Sequence, residues 1–466
     1  MSLYTFLRGI ITAIIGWLCD IGAWIAGAVS WQPLTVFSEW LGGLITNDLT
    51  INLLTILAGI ILVLAVSFIN LIIVMWFELK LFARFYHGRG PTEVGYAGLL
   101  QNIAHGMKLF LKELILPKKV DKWAYLIAPS IYIGTSFAAF AVIPWTEGFH
   151  IGPSEPKAGF LIIFALFALA PFMIFVSGWA SNNKYSLIGG MRSASQLISY
   201  EVPLLFSVLG VIIFAQSLAF SDIIHSQAEI AWLRGMLPGW FIFVQPLGAV
   251  LFFTAIIAEL ERIPFDLPEA EAELVEGWKT EYGGIRFGLL MFTEWARGVV
   301  ACSLFVLLFL GGWQGPFTDM RTTVLGYNVS TGAFIGIFWF FLKVYLVFSV
   351  MVWIRASLPR IRVDQLLRIC WNILLPLSVI NLFLSVAAFI IWQQYGFTLC
   401  AVFSLISFCV IALYFLLKKP AAEKADVERI IECDPQRNRA VLSRFYHDTV
   451  AEPKSAAKGV HDAAER

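Results

Sequence analysis

Long apolar runs separated by short charged segments make up most of this chain. Runs of roughly 18 to 25 apolar residues, long enough to cross a bilayer as a helix, fall near residues 6–28, 51–77, 123–145, 158–180, 202–224, 239–258, 286–313, 332–354, 371–392 and 396–417. The pattern predicts an all-α fold, a polytopic transmembrane helical bundle of about ten spans. The first run is the weakest. Asp20 interrupts it, and its Ala28-Val29-Ser30 end resembles a signal cleavage site, but a retained membrane or interfacial helix is the expectation. Beyond the last run, residues 420–466 turn to Ala, Glu, Lys, Asp and Arg, the composition of a solvated helix or a disordered extension.

Composition agrees with the pattern: 59% of residues are hydrophobic and 14% charged, with a net charge of +1. The near-zero net charge is itself uninformative, and no nucleic-acid partner is expected of such a membrane chain. Cys19, Cys302, Cys370, Cys400, Cys409 and Cys433 are scattered without a CxxC pair, so neither a metal nor an iron–sulfur cluster is expected within this chain. No phosphate-binding glycine loop or dinucleotide fingerprint is present. Lys and Arg concentrate in alternate loops. The segment 79–122 carries Lys80, Arg84, Arg89, Lys108 and Lys112 among others, Lys184 and Arg192 follow the fourth run, and Arg355, Arg360, Arg362 and Arg368 follow the eighth. By the positive-inside bias these loops, and with them both termini, face the cytoplasm.

One loop on that side breaks the bias. Glu259-Leu-Glu-Arg-Ile-Pro-Phe-Asp-Leu-Pro-Glu-Ala-Glu-Ala-Glu-Leu274 sets acids at 259, 261, 266, 269, 271 and 273 directly after an apolar run. Pro264 and Pro268 prevent one continuous helix, and a short helix starting at Pro268 would favour an acid at Glu269 through its dipole. That does not account for Glu271, Glu273 and Glu276, which raise one another's proton affinity at such spacing. A functional acid cluster is the preferred reading over a solvated helix start. Glu294 and Arg297 are spaced to pair on one helix face. Lys343 stands alone in its run and is a relay candidate, with snorkelling as the alternative. Glu201 follows Ser199-Tyr200 at the expected mouth of a span, where an ion pair and proton transfer explain it equally well.

Four separated motifs carry a resemblance: Gly98-Leu-Leu-Gln-Asn-Ile-Ala-His-Gly-Met-Lys-Leu-Phe-Leu-Lys-Glu113; Gly178-Trp-Ala-Ser-Asn-Asn-Lys-Tyr185 with Arg192, Gln196 and Ser199-Tyr-Glu-Val202; the acidic stretch continued through Glu281-Tyr282; and Trp353-Ile-Arg-Ala-Ser-Leu-Pro-Arg-Ile-Arg-Val-Asp-Gln-Leu366. Over about residues 51–392 the chain resembles the H subunit of respiratory complex I, the family of mitochondrial NADH dehydrogenase subunit 1. The resemblance divides the chain into an N-terminal extension (1–50), a membrane domain like that of the family (51–392), an extra helix (393–417) and a charged cytoplasmic tail (418–466).

The resemblance implies a membrane protein that forms a quinone chamber and the start of a proton-coupling path. Quinone is then the substrate, and the iron–sulfur cluster belongs to a soluble partner subunit. Further partners are the antiporter-like membrane subunits of a multi-subunit complex in the bacterial inner membrane. Acids matching Glu201 and Glu259 belong to the polar path, and those matching Asp266, Glu269, Glu271 and Glu273 to the loop beside the chamber. Glu281 and Glu294 match further family acids. Lys80, Arg192, Arg262, Arg355, Arg360 and Arg362 would hold these acids ionised or orient the headgroup. The chain departs from the family at Leu79, Glu93, Glu261, Arg297 and His105, the last placing a group that titrates near neutrality where an acid is usual. Two other classes compete: the equivalent subunit of an energy-converting hydrogenase or ferredoxin-linked complex, and a stand-alone ion transporter. The full Pro-Phe-Asp-Leu-Pro-Glu-Ala-Glu-Ala-Glu run favours the quinone branch, and the lack of an internal repeat weighs against the transporter.

Overall fold

A computed structural model describes residues 7–14, 48–147, 156–229, 231–232, 237–266, 275–315, 322–324, 327–329 and 331–417. The described residues are almost wholly helical. In chain order they form α1 (Asp48–Phe85), α2 (Gln101–Leu111), α3 (Lys122–Val142), α4 (Gly159–Ala180), α5 (Lys184–Ala215), α6 (Phe220–Glu229), α7 (Pro246–Glu259), α8 (Ile285–Phe309), α9 (Thr331–Ser357), α10 (Val363–Tyr395) and α11 (Phe397–Leu417). Two short antiparallel pairings interrupt the helices: β1 (Ala231–Trp232) with β2 (Leu237–Pro238), and β3 (Thr322–Val324) with β4 (Tyr327–Val329). Among the described residues, 8 helices are long and apolar enough to cross a membrane. The chain divides into two compact units, Met1–Leu405 and Ile406–Arg466, and the contacts that follow lie within the first.

Helices start and stop where backbone chemistry allows. Asn183 caps α5 by accepting from the Tyr185 amide at 3.1 Å, and Gln216, at φ 52°, ends it in the left-handed region. This helix differs from the expected span 202–224. It begins at Lys184, because the less apolar stretch before Glu201 is rich in small residues that pack tightly. A Cβ on Gly178 would stand 2.7 Å from the Ser186 carbonyl, and one on Gly189 would stand 2.7 Å from the Gly277 backbone. Only glycine lets α4, α5 and the 275–282 loop approach so closely. As a result Glu201 sits inside α5 and not at its mouth.

The expected span 239–258 is also different. A single turn, Phe241–Val244, is followed by a break at Gln245, and Pro246 then opens α7. α7 is 14 residues long, so it rises about 21 Å, short of the roughly 30 Å of a hydrocarbon core. Of the expected first span, only residues 7–14 are described, and they are helical; the tail after 417 lies outside the described residues.

α8 is the buried axis, and α1, α3 and α9 pack on it; α5 packs on α4, α7 and α10. Aromatic rings fill the gaps, including the stacked pair Phe68–Phe137 at 5.3 Å and the Phe252–Phe309 contact at 5.7 Å. At one end of the bundle the connecting loops are tied to each other. Asn182 Nδ2 donates to the Lys119 carbonyl at 2.8 Å, and the Ile361 amide donates to the Pro264 carbonyl at 3.1 Å. The lysine- and arginine-rich loops and the beginning of the acidic loop meet at this end.

Candidate functional site

The turn that leaves α7 builds the site. Gln196 of α5 donates through Nε2 to the carbonyls of Ala258 at 2.8 Å and Phe265 at 2.9 Å, pinning both sides of the turn to one side chain. Glu261 adopts φ 51° within the turn and accepts from the Ser193 hydroxyl. Glu259, Arg262 and Asp266 are thereby aimed in three directions.

Glu259 ends α7 and is 4% exposed. Arg297 of α8 donates to its Oε1 at 2.7 Å and to the Tyr132 hydroxyl at 3.3 Å, with its guanidinium over the Phe167 and Tyr132 rings at 5.2 and 5.4 Å. Two charges at this depth are tolerable only as a pair. Glu201 is half-buried on α5, the helix whose Gln196 holds the turn after Glu259.

Arg262 turns the other way and donates to Glu78 Oε1 at 2.5 Å. Arg355 of α9 donates to the same oxygen, and Trp295 Nε1 donates to Oε2 at 2.5 Å. One buried carboxylate from α1 therefore holds two guanidinium groups, and Arg262 also stacks over the Trp295 ring at 5.6 Å. Asp266 accepts from Arg360 at 3.1 Å, and Arg360 is well exposed to solvent.

A second locus lies on the 275–284 loop. Lys279, buried beside the Trp278 ring, forms an ion pair with Glu294. Glu281 accepts from Asn183 Nδ2 at 2.6 Å, and its carbonyl accepts from the Tyr125 hydroxyl at 2.8 Å. Tyr282 stacks on Tyr125 with centroids 4.3 Å apart, and burial pushes its phenol above the usual range.

The expected pairing of Glu294 with Arg297 is overturned. Each pairs off the helix, because Glu259 meets Arg297 in the buried core while Lys279 covers Glu294. Lys343, without a partner in its own helix, reaches the carbonyls of Leu310, Gly312 and Gln314 at 2.7, 3.1 and 2.7 Å over the Trp240 ring. Its contacts lie near the opposite end of the bundle and, among the described residues, involve no acid.

Of the residues singled out in the sequence, Glu201, Glu259, Arg262, Asp266, Arg355 and Arg360 belong to the first locus, and Glu281 and Glu294 to the second. Arg192 is half-buried on α5. The Lys80 stem lies against Gly90, Arg362 is exposed at the start of α10, and His105 is exposed on α2 without a hydrogen bond among the described residues. Glu269, Glu271 and Glu273 lie outside the described residues. Among the described residues no three His, Cys, Asp or Glu side chains are placed to hold a metal ion. Glu78, Lys279, Trp295 and Tyr132 were not foreseen. Glu78 alone had a signal, an acid directly after an apolar run at the head of a basic segment.

A family model described as NADH dehydrogenase matches residues 58–386. The chain belongs to the NADH dehydrogenase family. Similar proteins include the second of the NADH-quinone oxidoreductase H subunits of Geobacter metallireducens, 42% identical over 312 residues that cover 63% of this chain and 83% of that one. The H subunit of the Geobacillus thermodenitrificans NADH-quinone oxidoreductase is 42% identical over 303 residues, covering 65% and 84%. Its counterpart in Carboxydothermus hydrogenoformans is 36% identical over 346 residues, covering 74% and 92%. As a member of the NADH dehydrogenase family, with its bilayer-length helices, this is an integral membrane protein.

Proposed function

We propose that the chain is the H-type membrane subunit of a complex I-like, proton-translocating oxidoreductase, lining the quinone chamber and opening the proton-coupling path. The observation that carries this reading is the convergence of Glu78, Glu259 and Asp266, each held by arginine, at one end of the bundle in a chain of this family. Residues 51–392 would form the shared membrane domain, and 1–50, 393–417 and 418–466 additions to it. The acid end would face the cytoplasm of the bacterial inner membrane, with both termini on that side.

The chemistry follows from charge. Reducing a quinone to quinol takes up two electrons and two protons. Arg355 and Arg360, part-exposed beside Glu78 and Asp266, would meet an oxygen of the headgroup. A guanidinium drawn towards new negative charge loosens its hold on its carboxylate, whose proton affinity then rises. Glu259 and Glu201 would pass that change inward as coupled sites. Glu269, Glu271, Glu273, Glu281 and Glu294 would bear on the same proton traffic. Lys80, His105, Arg192 and Arg362 would border the chamber. The iron–sulfur cluster that delivers electrons would sit in a soluble partner, and antiporter-like membrane subunits would complete the complex.

The test is to isolate the complex through a tag on this chain and compare wild type with Glu201→Gln in proteoliposomes. Quinone reduction with slowed proton pumping and an intact set of subunits is expected. A nickel-hydrogenase partner, or purification of this chain alone, overturns the reading.

A further inference from the structure

Deep in the bundle, three helices surround polar atoms that no group among the described residues satisfies. α10 carries Ser378, Asn381 and Ser385 at helical spacing, and all three are buried. Gln245, in the break before α7, faces them. Gln245 and Asn381 are each 3% exposed, and Gln245 Nε2, Gln245 Oε1 and Asn381 Nδ2 have no hydrogen-bond partner among the described residues. The nearby hydroxyls spend their one hydrogen elsewhere, Ser207 on the Leu204 carbonyl and Ser385 on the Asn381 carbonyl, each at 2.7 Å, so neither donates to Gln245 Oε1. Native interiors rarely leave such groups unpaired, and buried water is the usual partner.

Two glycines shape the space. A Cβ on Gly248 would lie 3.1 Å from Asn381 Nδ2, 3.3 Å from Gln245 Oε1 and 3.3 Å from the Ser207 carbonyl oxygen. The region above this Cα is thus bordered by polar atoms from α5, α10 and the α7 break. A Cβ on Gly210 would lie 2.7 Å from either end of the Gln245 carboxamide. The amide rests directly on that backbone, and any side chain there would push it out of the pocket.

The surrounding atoms define the ligand. They are neutral and mix N–H donors with oxygen acceptors, and either orientation of the Gln245 amide presents one of each. A cation would face amide hydrogens, and an anion would face carbonyls with no positive charge nearby. We propose that the pocket between α5, α7 and α10 binds an ordered water molecule, which accepts from Asn381 Nδ2 and donates to Gln245 Oε1 and the Ser207 carbonyl. This site is separate from the quinone reading and stands or falls without it. Ser207 follows Glu201 on α5 by six residues, about 9 Å along the axis.

A density map of the intact complex, sharp enough to show ordered solvent, is expected to hold a peak within hydrogen-bonding distance of Asn381 Nδ2 and the Gln245 amide. Gly248→Ser, whose hydroxyl would take the same place, is expected to remove it. A direct Gln245–Asn381 hydrogen bond with no peak overturns the proposal, and so does a peak ringed by oxygen ligands alone, as for a cation. If Gly248→Ser fails to assemble, the wild-type map decides.

Discussion

Arg297 donates to Glu259 on another helix at 2.7 Å and leaves Glu294, three residues away on its own helix, to Lys279. Removing one member of a buried pair strands the other, at a cost of about 3–5 kcal/mol. Arg297→Met is therefore expected to lower the thermal stability of the complex sharply, and Glu259→Gln in the same chain to restore much of it. Glu294→Gln should not disturb Glu259. Thermal melts of the three variants check this, and equal losses for Arg297→Met and the double variant would show that the pair is not the unit.

Glu78 serves two arginines and a tryptophan, whereas Asp266 holds Arg360, whose side chain is 38% exposed. Glu78→Gln is expected to reduce assembled complex on native gels severely. Asp266→Asn should cost less than Glu78→Gln, because Asp266 pairs with the single, solvated Arg360. Similar losses for both would count against the buried role of Glu78.

Pro203 lies inside α5 and has no N–H to give the Ser199 carbonyl, four residues back; Cys370 Sγ, at the start of the π-turn Cys370–Leu374 in α10, is 3.0 Å from that oxygen. Cys370→Ala is expected to cost about 0.5–1.5 kcal/mol and Cys370→Ser much less. With Pro203→Ala, the restored amide should satisfy Ser199 and make Cys370→Ala nearly neutral. A double-mutant cycle on thermal stability measures the coupling, and strict additivity would disprove the exchange of donors.

Lys343 joins the end of α8 to α9 by donating to three carbonyls. Lys343→Met leaves those acceptors bare at about 1–3 kcal/mol for each that water cannot reach. The expected outcome is faster thermal inactivation with an unchanged ratio of protons pumped to quinone reduced. A fall in that ratio, at normal stability, would make Lys343 a relay instead of a clamp.

The apolar pattern by itself determined that this is a bundle of bilayer-length helices, because a backbone in hydrocarbon must satisfy its own hydrogen bonds and long apolar runs do so as helices. The acidic loop and its arginines were equally legible, since charges beside an apolar run are costly enough to be conspicuous. Hydropathy did not reveal that α5 starts at Lys184, where glycine and serine permit close helix packing without being strongly apolar. Nor did it reveal the break at Gln245, within a run apolar enough to read as one span. Partner choice was decided only in three dimensions. Spacing on α8 suggested Glu294 with Arg297, but Glu259, Lys279 and Glu78 reach these helices from distant parts of the chain, and burial favours the pairs that satisfy the most charge. The carbonyls around Lys343 and the unpaired amides of Gln245 and Asn381 were hidden for the same reason: sequence names the groups, and only packing decides what each one faces.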